Sequence, residues 1–280
     1  MEKAPINKII NFSNVDGPGN RMAIFFQGCP FRCLYCHNPE TLNLCTNCGK
    51  CTATCPTNSL SFDTNKKVVW NEKTCVNCDT CIKVCPNLSS PKVKYYSVEE
   101  ALERIKKVKP FIRGITVSGG ECTNYPKFIY ELFKEVKKLN LTCLIDSNGC
   151  YDYKNMQDLI EISDGVMLDV KAYNSDFHNE IIGKNNDVVI SNLKYLLSIN
   201  KLEEVRTVIL PNQKENNEYT VKMVSSIIKD KTRYKLIKYR YYGVRKDGID
   251  KFGKVIVDDD TIKYYKDLAI KNGCKEVVIK

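Results

Sequence analysis

The placement of cysteine constrains this chain more than any other feature. Of its 15 cysteines, eleven fall between Cys29 and Cys85. The total is odd, and 280 residues bury enough apolar surface to fold without covalent staples. The opening MEKAPINKIINF has no basic segment followed by an apolar one, so no secretory signal is visible and the cytoplasm is expected. In that reducing setting clustered thiols hold metal or do redox chemistry rather than pair with each other. A secreted disulfide scaffold is disfavoured. No apolar run approaches the roughly 18 residues of a membrane span, so no membrane partner is expected.

Three zones follow one another. Residues 1–44 contain Met22-Ala-Ile-Phe-Phe-Gln27, which reads as a buried strand running into Gly28 and Cys29. Residues 45–91 hold eight cysteines among Pro and Asn punctuation, and so abrupt a shift marks a separate small module. Residues 92–280 alternate strand-like and helix-like segments. Ser97-Val-Glu-Glu100 carries a capping box, and Val98, Ala101, Leu102 and Ile105 then share one helical face. Strands are predicted at Ile115–Val117, Leu141–Asp146, Val166–Val170, Val205–Leu210, Tyr234–Tyr239 and Val277–Ile279. Helices are predicted at 126–138, 155–162, 187–199, 219–228 and near 261–271.

Counting the strand before Cys29, six strands each precede a helix. Repeated βα units imply an α/β fold with a parallel sheet. Without a Rossmann glycine fingerprint they point to a partial (β/α)6 TIM-like barrel, with its active site at the carboxyl ends of the strands. Residues 1–44 and 92–280 are expected to form the barrel. Residues 45–91 are expected to be an insert in the first βα connection.

Two motifs carry chemistry. Cys29-Pro-Phe-Arg-Cys33-Leu-Tyr-Cys36 sets three thiolates on a tight loop. They could hold three irons of a [4Fe–4S] cluster and leave the fourth open, as catalytic metal sites keep a position for substrate. The spacing alone also admits a zinc site completed by His37. In the insert, Cys45-x2-Cys48-x2-Cys51-x3-Cys55-Pro56 recurs as Cys75-x2-Cys78-x2-Cys81-x3-Cys85-Pro86. This is the run of bacterial two-cluster ferredoxins, in which the fourth cysteine of each run serves the other cluster. One [4Fe–4S] cluster is expected on Cys45, Cys48, Cys51 and Cys85, the other on Cys75, Cys78, Cys81 and Cys55. Zinc knuckles need pairs, not triplets followed by Cys-Pro. Cys122, Cys143, Cys150 and Cys274 lack ligand spacing and read as packing residues.

Longer runs accompany these cysteines. Val15-Asp-Gly-Pro-Gly-Asn-Arg21, Phe25-Phe-Gln-Gly-Cys29 and Arg32-Cys-Leu-Tyr-Cys-His-Asn38 open the chain. Ser118-Gly-Gly-Glu121, Thr142-Cys-Leu-Ile-Asp-Ser-Asn-Gly149 and Met167-Leu-Asp-Val-Lys171 follow. Together they resemble the radical S-adenosylmethionine (SAM) superfamily, and within it the glycyl radical enzyme activases of the pyruvate formate-lyase activase type. The Asp79-Thr-Cys81 and Gly114-Ile-Thr-Val117 contexts look like the YjjW-type members with a two-cluster insert. The resemblance covers most of the first and third zones and fades after about Leu210.

The resemblance implies SAM chelated to the open iron. Gly119 and Gly120 would bring backbone acceptors to its ammonium, with Glu121 holding their loop. Asp146, Ser147, Met167 and Asp169 match positions around the methionine end, where some activases bind a monovalent cation. Plain strand-end capping is the other reading of Asp146 and Asp169. Lys171 would pair with the SAM carboxylate as a point charge. The backbone of Tyr35 and His37 would flank the adenine, with Asn38 near the nucleoside. Asp16 is expected near the substrate glycine, with a turn-forming role as its alternative. Arg21 and Arg206 complete the catalytic candidates. The sequence departs from the family at Tyr239-Arg240, where many members have His, and at Cys122, where Ala is usual.

The implied activity is reductive cleavage of SAM to methionine and a 5′-deoxyadenosyl radical that removes a hydrogen from a backbone glycine of a partner glycyl radical enzyme. A flavodoxin or ferredoxin would supply electrons. The rivals are a radical SAM enzyme acting on a small molecule and a non-enzymatic electron carrier. Little is expected after Leu210 to build a lid or a small-molecule pocket, which favours a protein substrate. The net charge of +10 rests on 35 Lys and only eight Arg. That bias argues for solubility rather than nucleic-acid binding. The stretch Lys231–Lys246, with seven Lys or Arg and no acid, reads as a solvated face or as a dock for an acidic protein.

Overall fold

A computed structural model describes residues 2–280. Strands β1 (Ala4–Ser13) and β2 (Arg21–Phe26) pair antiparallel. Within the cysteine-rich segment, β3 (Leu60–Phe62) and β4 (Val68–Trp70) form a separate antiparallel pair, and α1 (Thr80–Lys83) is one turn long. The chain returns to the main sheet as β5 (Lys94–Tyr96), which pairs with β1. Alternation then sets in: α2 (Val98–Val108), β6 (Gly114–Gly119), α3 (Pro126–Lys137), β7 (Thr142–Ser147), α4 (Gln157–Ile162) and β8 (Gly165–Asp169). Two helices, α5 (Ser175–Ile182) and α6 (Asp187–Ser198), precede β9 (Leu202–Ile209). The chain ends with α7 (Lys214–Ile228), β10 (Arg233–Lys238), α8 (Lys246–Phe252), α9 (Asp259–Lys271) and β11 (Val277–Ile279).

The main sheet runs β11-β10-β9-β8-β7-β6-β2-β1-β5, and every pair from β2 to β11 is parallel. Its outer strands are β5 and β11, so the sheet is open. Five of the six strands predicted to precede helices do so directly, whereas β2 is followed by the cysteine-rich segment and β5 before α2. Strands β1 and β5 and helices α5 and α8 escaped the sequence reading, because each is short or lacks a clean period. β1 is interrupted by Pro5 and Lys8, and α8 contains Gly248. That glycine has a reason: a Cβ there would stand 1.9 Å from the Leu34 carbonyl oxygen, so only glycine lets α8 lie on the cysteine loop. Helix α7 begins at Lys214 rather than at 219. The capping box is formed: Ser97 Oγ accepts from Glu100 N at 3.2 Å, and the Glu100 carboxylate accepts from Ser97 N at 2.7 Å.

Strand alternation sorts the side chains. Ile115, Val117, Cys143, Ile145, Val166, Leu168 and Val205 are buried in one apolar core with residues of α3, α6 and α7, such as Phe133, Leu193 and Val221. Each such burial contributes about 1.5–3 kcal/mol. The intervening residues, Ser118, Asp146, Asp169, Glu204, Arg206 and Lys235, fall on the other face of the same strands. One face stabilises the fold and the other carries chemistry. Cys122, Cys143 and Cys274 are buried, as packing residues should be. Among the described residues, no helix is long and apolar enough to cross a membrane.

Candidate active site and two cysteine-lined cavities

A cavity of about 490 Å³ opens at the carboxyl ends of the strands. Cys29, Cys33 and Cys36 line it from the loop after β2. Cys29 N bonds the Leu42 carbonyl at 3.0 Å. Arg32 N and Leu34 N bond the carbonyls of Ile182 and Ile181, each at 2.9 Å. The last turn of α5 thus gives its free carbonyls to the cysteine loop, while α8 packs on the same loop at Leu34. Burial pushes the Cys29 thiol up to about 12 and Cys33 to about 11. These thiols are protonated at neutral pH when free, so a metal must displace their protons to bind. Asn148 Nδ2 donates to Cys29 Sγ at 3.5 Å.

The Gly119-Gly120-Glu121 turn forms the facing wall. Gly119 has φ +131°, and a Cβ on Gly120 would lie 2.6 Å from the Gly28 oxygen and 2.7 Å from the Thr41 oxygen. Two glycines are what this approach requires. Glu121 stands behind them, 1 % exposed. Its carboxylate accepts from Thr123 N (3.0 Å), Thr123 Oγ1 (2.6 Å), Ser147 Oγ (2.8 Å) and Asn148 N (2.9 Å). Burial raises its pKa and these four bonds oppose the rise. Glu121 therefore ties the end of β6 to the end of β7, the holding role expected of it.

Charge fills the inner face. Arg206 bridges Asp146 (Nη1 to Oδ1, 2.8 Å) and Glu204 (Nε to Oε1, 2.6 Å). Glu204, 2 % exposed, also receives Lys235 at 2.7 Å. Lys171 Nζ lies 2.8 Å from Asp169 Oδ2 and 5.9 Å from the centre of the Tyr35 ring. Burial raises the Asp146 pKa, with Arg206 pulling it back. Both Asp146 and Asp169 already hold a cationic side chain of the chain itself. Glu204 and Lys235 were missed in the sequence. The available signal was the i, i+2 spacing of Glu204 and Arg206, which sets both on one face of a strand.

Of the expected site residues, Tyr35, His37, Asn38, Gly119, Gly120, Asp146, Ser147, Asp169, Lys171 and Arg206 line the cavity with the three cysteines. Three do not. Met167 is fully buried, with its Sδ 3.0 Å from Arg206 Nη2, so it supports that guanidinium instead of lining the cavity. Arg21 lies at the amino end of β2, and its guanidinium donates to Thr116 Oγ1 (2.8 Å), Ile115 O (2.6 Å) and Thr142 Oγ1 (2.9 Å). It clamps the starts of β2, β6 and β7 and is a structural group rather than a catalytic one. Asp16 accepts from Ser13 Oγ at 2.5 Å, and its carbonyl accepts from Thr116 Oγ1 at 2.5 Å. The first is the local contact of a turn residue and the second ties that turn to β6; the carboxylate does not line the cavity, although its negative charge acts on Asp146 and Lys280 of the cavity wall.

The region after Leu210 contributes more than expected. Ile237, Lys238, Arg240 and Lys280 line the cavity, and His37 Nε2 bonds the Arg240 carbonyl at 2.9 Å. Within the basic stretch, Arg233 pairs with Glu276, Lys235 with Glu204, Lys238 with Asp259, Arg245 with Asp247 and Lys246 with Asp250. Acids outside the stretch, two of them on the adjoining α8, pair with five of its seven basic groups, which weakens its reading as a dock.

Two further cavities lie in the insert. Cys45, Cys48, Cys51 and Cys85 line one, and Cys55, Cys75, Cys78 and Cys81 line the other. The fourth cysteine of each run has crossed to the other set, as the spacing predicts. The two halves repeat in backbone as well. Left-handed φ values recur at Asn47 and Asn77 (57° and 53°), Gly49 and Asp79 (76° and 57°), and Asn58 and Leu88 (50° and 47°). Asn47 N and Asn77 N each stand 3.4 Å from the sulfur two residues back. Thr41 lines the main cavity and bridges to Ser89, which lines the Cys45–Cys85 cavity. The two spaces share a wall there.

The donor set fits an iron–sulfur cluster and a polar small molecule. Three thiols on one loop face a glycine cradle, and the Tyr35 hydroxyl is buried without a hydrogen-bond partner. For SAM binding, Lys171→Ala is expected to weaken affinity by roughly ten- to a hundredfold, since a charge-assisted contact is worth about 1.5–3 kcal/mol. Equilibrium dialysis with SAM checks this, and unchanged affinity would remove Lys171 from the site.

Comparison with known proteins agrees with this geometry. The sequence profile of the Radical SAM superfamily matches residues 23–224. A putative glycyl-radical enzyme activating enzyme of Haemophilus influenzae is 30% identical over 264 residues, covering 86% of this chain and 84% of that one. The pyruvate formate-lyase-activating enzyme of Clostridium pasteurianum is 28% identical over 252 residues, covering 88% and 86%. In three dimensions, the crystal structure of QueE from Escherichia coli superposes with a TM-score of 0.55 at 14% identity, covering 99% of this chain and 94% of that one. Iron–sulfur and SAM chemistry is what such a match carries. The chain belongs to the Radical SAM superfamily.

Proposed function

We propose that this chain is a glycyl-radical enzyme activase whose barrel, residues 1–44 and 92–280, carries a two-cluster insert at 45–91. The observation that carries the proposal is the single cavity lined together by Cys29, Cys33, Cys36, Gly119, Gly120 and Lys171, in a chain similar over most of its length to activating enzymes. When bound, the cluster and SAM supply a one-electron cleavage that yields a 5′-deoxyadenosyl radical. The chain's own residues prepare the ground. The cysteine loop is fixed from both sides by α5 and α8. Gly119 and Gly120 leave backbone acceptors open to an ammonium group, and Lys171 offers a cation to a carboxylate. Glu121 keeps the β6 and β7 ends in register from behind. The insert would deliver electrons from a flavodoxin or ferredoxin, entering the main cavity across the Thr41–Ser89 wall.

The substrate in this reading is a backbone glycine of a separate, larger protein. Glycine has no side chain to block approach, and its radical is stabilised by the flanking amides. The test is electron paramagnetic resonance on a mixture of SAM, reductant, this protein and a candidate partner enzyme. A doublet glycyl signal that vanishes when the partner's glycine becomes alanine is the expected result. Multiple-turnover conversion of a free metabolite without any partner would overturn it in favour of a small-molecule radical SAM enzyme.

A further inference from the structure

Each insert cavity contains one buried hydrogen-bond donor that the protein itself leaves unused. In the Cys45–Cys85 cavity it is the Ser89 hydroxyl: the residue is 1 % exposed, lines the cavity and has no partner. In the other cavity it is the Trp70 indole N–H, which is likewise buried and unpartnered on a residue lining the space. A buried donor without an acceptor is costly, so its persistence points to an acceptor that occupies the cavity.

The repeat of the insert sharpens this. Ser59 holds in the first half the place that Ser89 holds in the second, and it lines the opposite cavity. Its hydroxyl is occupied, 2.6 Å from Thr57 Oγ1 and accepting from Thr74 Oγ1 at 2.9 Å. The second half has Asn87 where the first has Thr57, so Ser89 lacks that neighbour. Where the serine is engaged, the tryptophan N–H is free, and where the serine is free it stands alone. Each cavity therefore keeps one donor, supplied by a different residue.

We infer that Ser89 and Trp70 each donate a hydrogen bond to the iron–sulfur cluster of its own insert cavity and thereby raise that cluster's reduction potential. This rests on the two-cluster reading of the insert. The physical ground is general: a donor to cluster or thiolate sulfur stabilises the reduced form, which carries one more negative charge. Both residues are positioning groups that set how readily each cluster accepts an electron from a protein donor. No bond is made or broken.

The experiment uses the full chain, reconstituted anaerobically, with iron and sulfide counted first. Near twelve irons are expected in the wild type, in Ser89→Ala and in Trp70→Phe. A count near four in the wild type would overturn the two-cluster reading itself, and the inference with it. Potentiometric titration followed by electron paramagnetic resonance then separates the clusters. Ser89→Ala is expected to lower one insert cluster so that its oxidised-to-reduced ratio at fixed ambient potential changes about tenfold, or 59 mV for a one-electron couple. Trp70→Phe is expected to lower the other cluster, and neither variant to move the catalytic one. Ser89→Thr keeps the hydroxyl and is expected to keep the wild-type potential. It also serves as the comparison if Ser89→Ala assembles poorly, because a shifted potential in Ser89→Thr would overturn the serine's assignment. Twelve irons with unmoved insert potentials in Ser89→Ala and Trp70→Phe would overturn the inference while leaving the two-cluster reading intact.

Discussion

Cys33→Ala is expected to abolish SAM cleavage and remove about four of roughly twelve irons, while the insert keeps its own. Cys33 is the middle cysteine of a loop whose backbone is fixed on both sides, by Ile181 and Ile182 of α5 and by α8 packing on Leu34. A rigid loop cannot bring a substitute thiol into the vacated place. The remaining Cys29 and Cys36 are buried enough to stay protonated when free, so two of them hold a cluster poorly. Cys78→Ala gives the converse result: it lies in the Cys55–Cys81 cavity, so insert iron falls while SAM still binds. Iron and sulfide analysis with product chromatography reads both variants. Stoichiometric zinc with little sulfide would end the cluster assignment at all three sites.

What was legible in the sequence was chemistry packed into consecutive residues. Cysteine spacing predicted the two crossed sets of four, because ligand geometry is set by a few bonds of local chain. Asp146, Asp169 and Lys171 were legible through the family resemblance, and the two aspartates also because they sit at strand ends, where a βα fold collects its site. Arg21 shows where such reasoning fails. It adjoins the Gly17-Pro18-Gly19 turn that carries the family resemblance, yet it starts the strand that Cys29 follows. Six residues at about 3.3 Å each put it some 20 Å from the cavity end. Met167 fails for a subtler reason: it faces inward, but Arg206 lies between it and the open space. Glu204, Lys235 and α8 depend on contacts between segments far apart in the chain, such as Gly248 against Leu34, and no local pattern announces them.

The second large effect is expected at Arg206. Arg206→Met keeps the length of the side chain and removes its charge, leaving Asp146 with only the Ser118 hydroxyl at 3.1 Å. Glu204 retains Lys235, so the unpaired charge is mainly that of Asp146. Breaking a buried pair from one side costs about 3–5 kcal/mol, read as a fall in the urea midpoint with little change in slope. The pH dependence follows from the sign of the shift. Burial already raises Asp146 above its unfolded value, and losing Arg206 raises it further. A carboxyl whose folded pKa is raised contributes stability below its unfolded pKa of about 3.9 and loses it as pH rises through the folded value. The deficit of Arg206→Met should therefore shrink as pH falls from 7 toward 5. Adding Asp146→Asn should recover most of the loss at pH 7, since no buried charge is then left without a partner. A deficit that ignores pH and survives the second substitution would mean that Arg206 supports the strands by packing on Met167 rather than by neutralising Asp146.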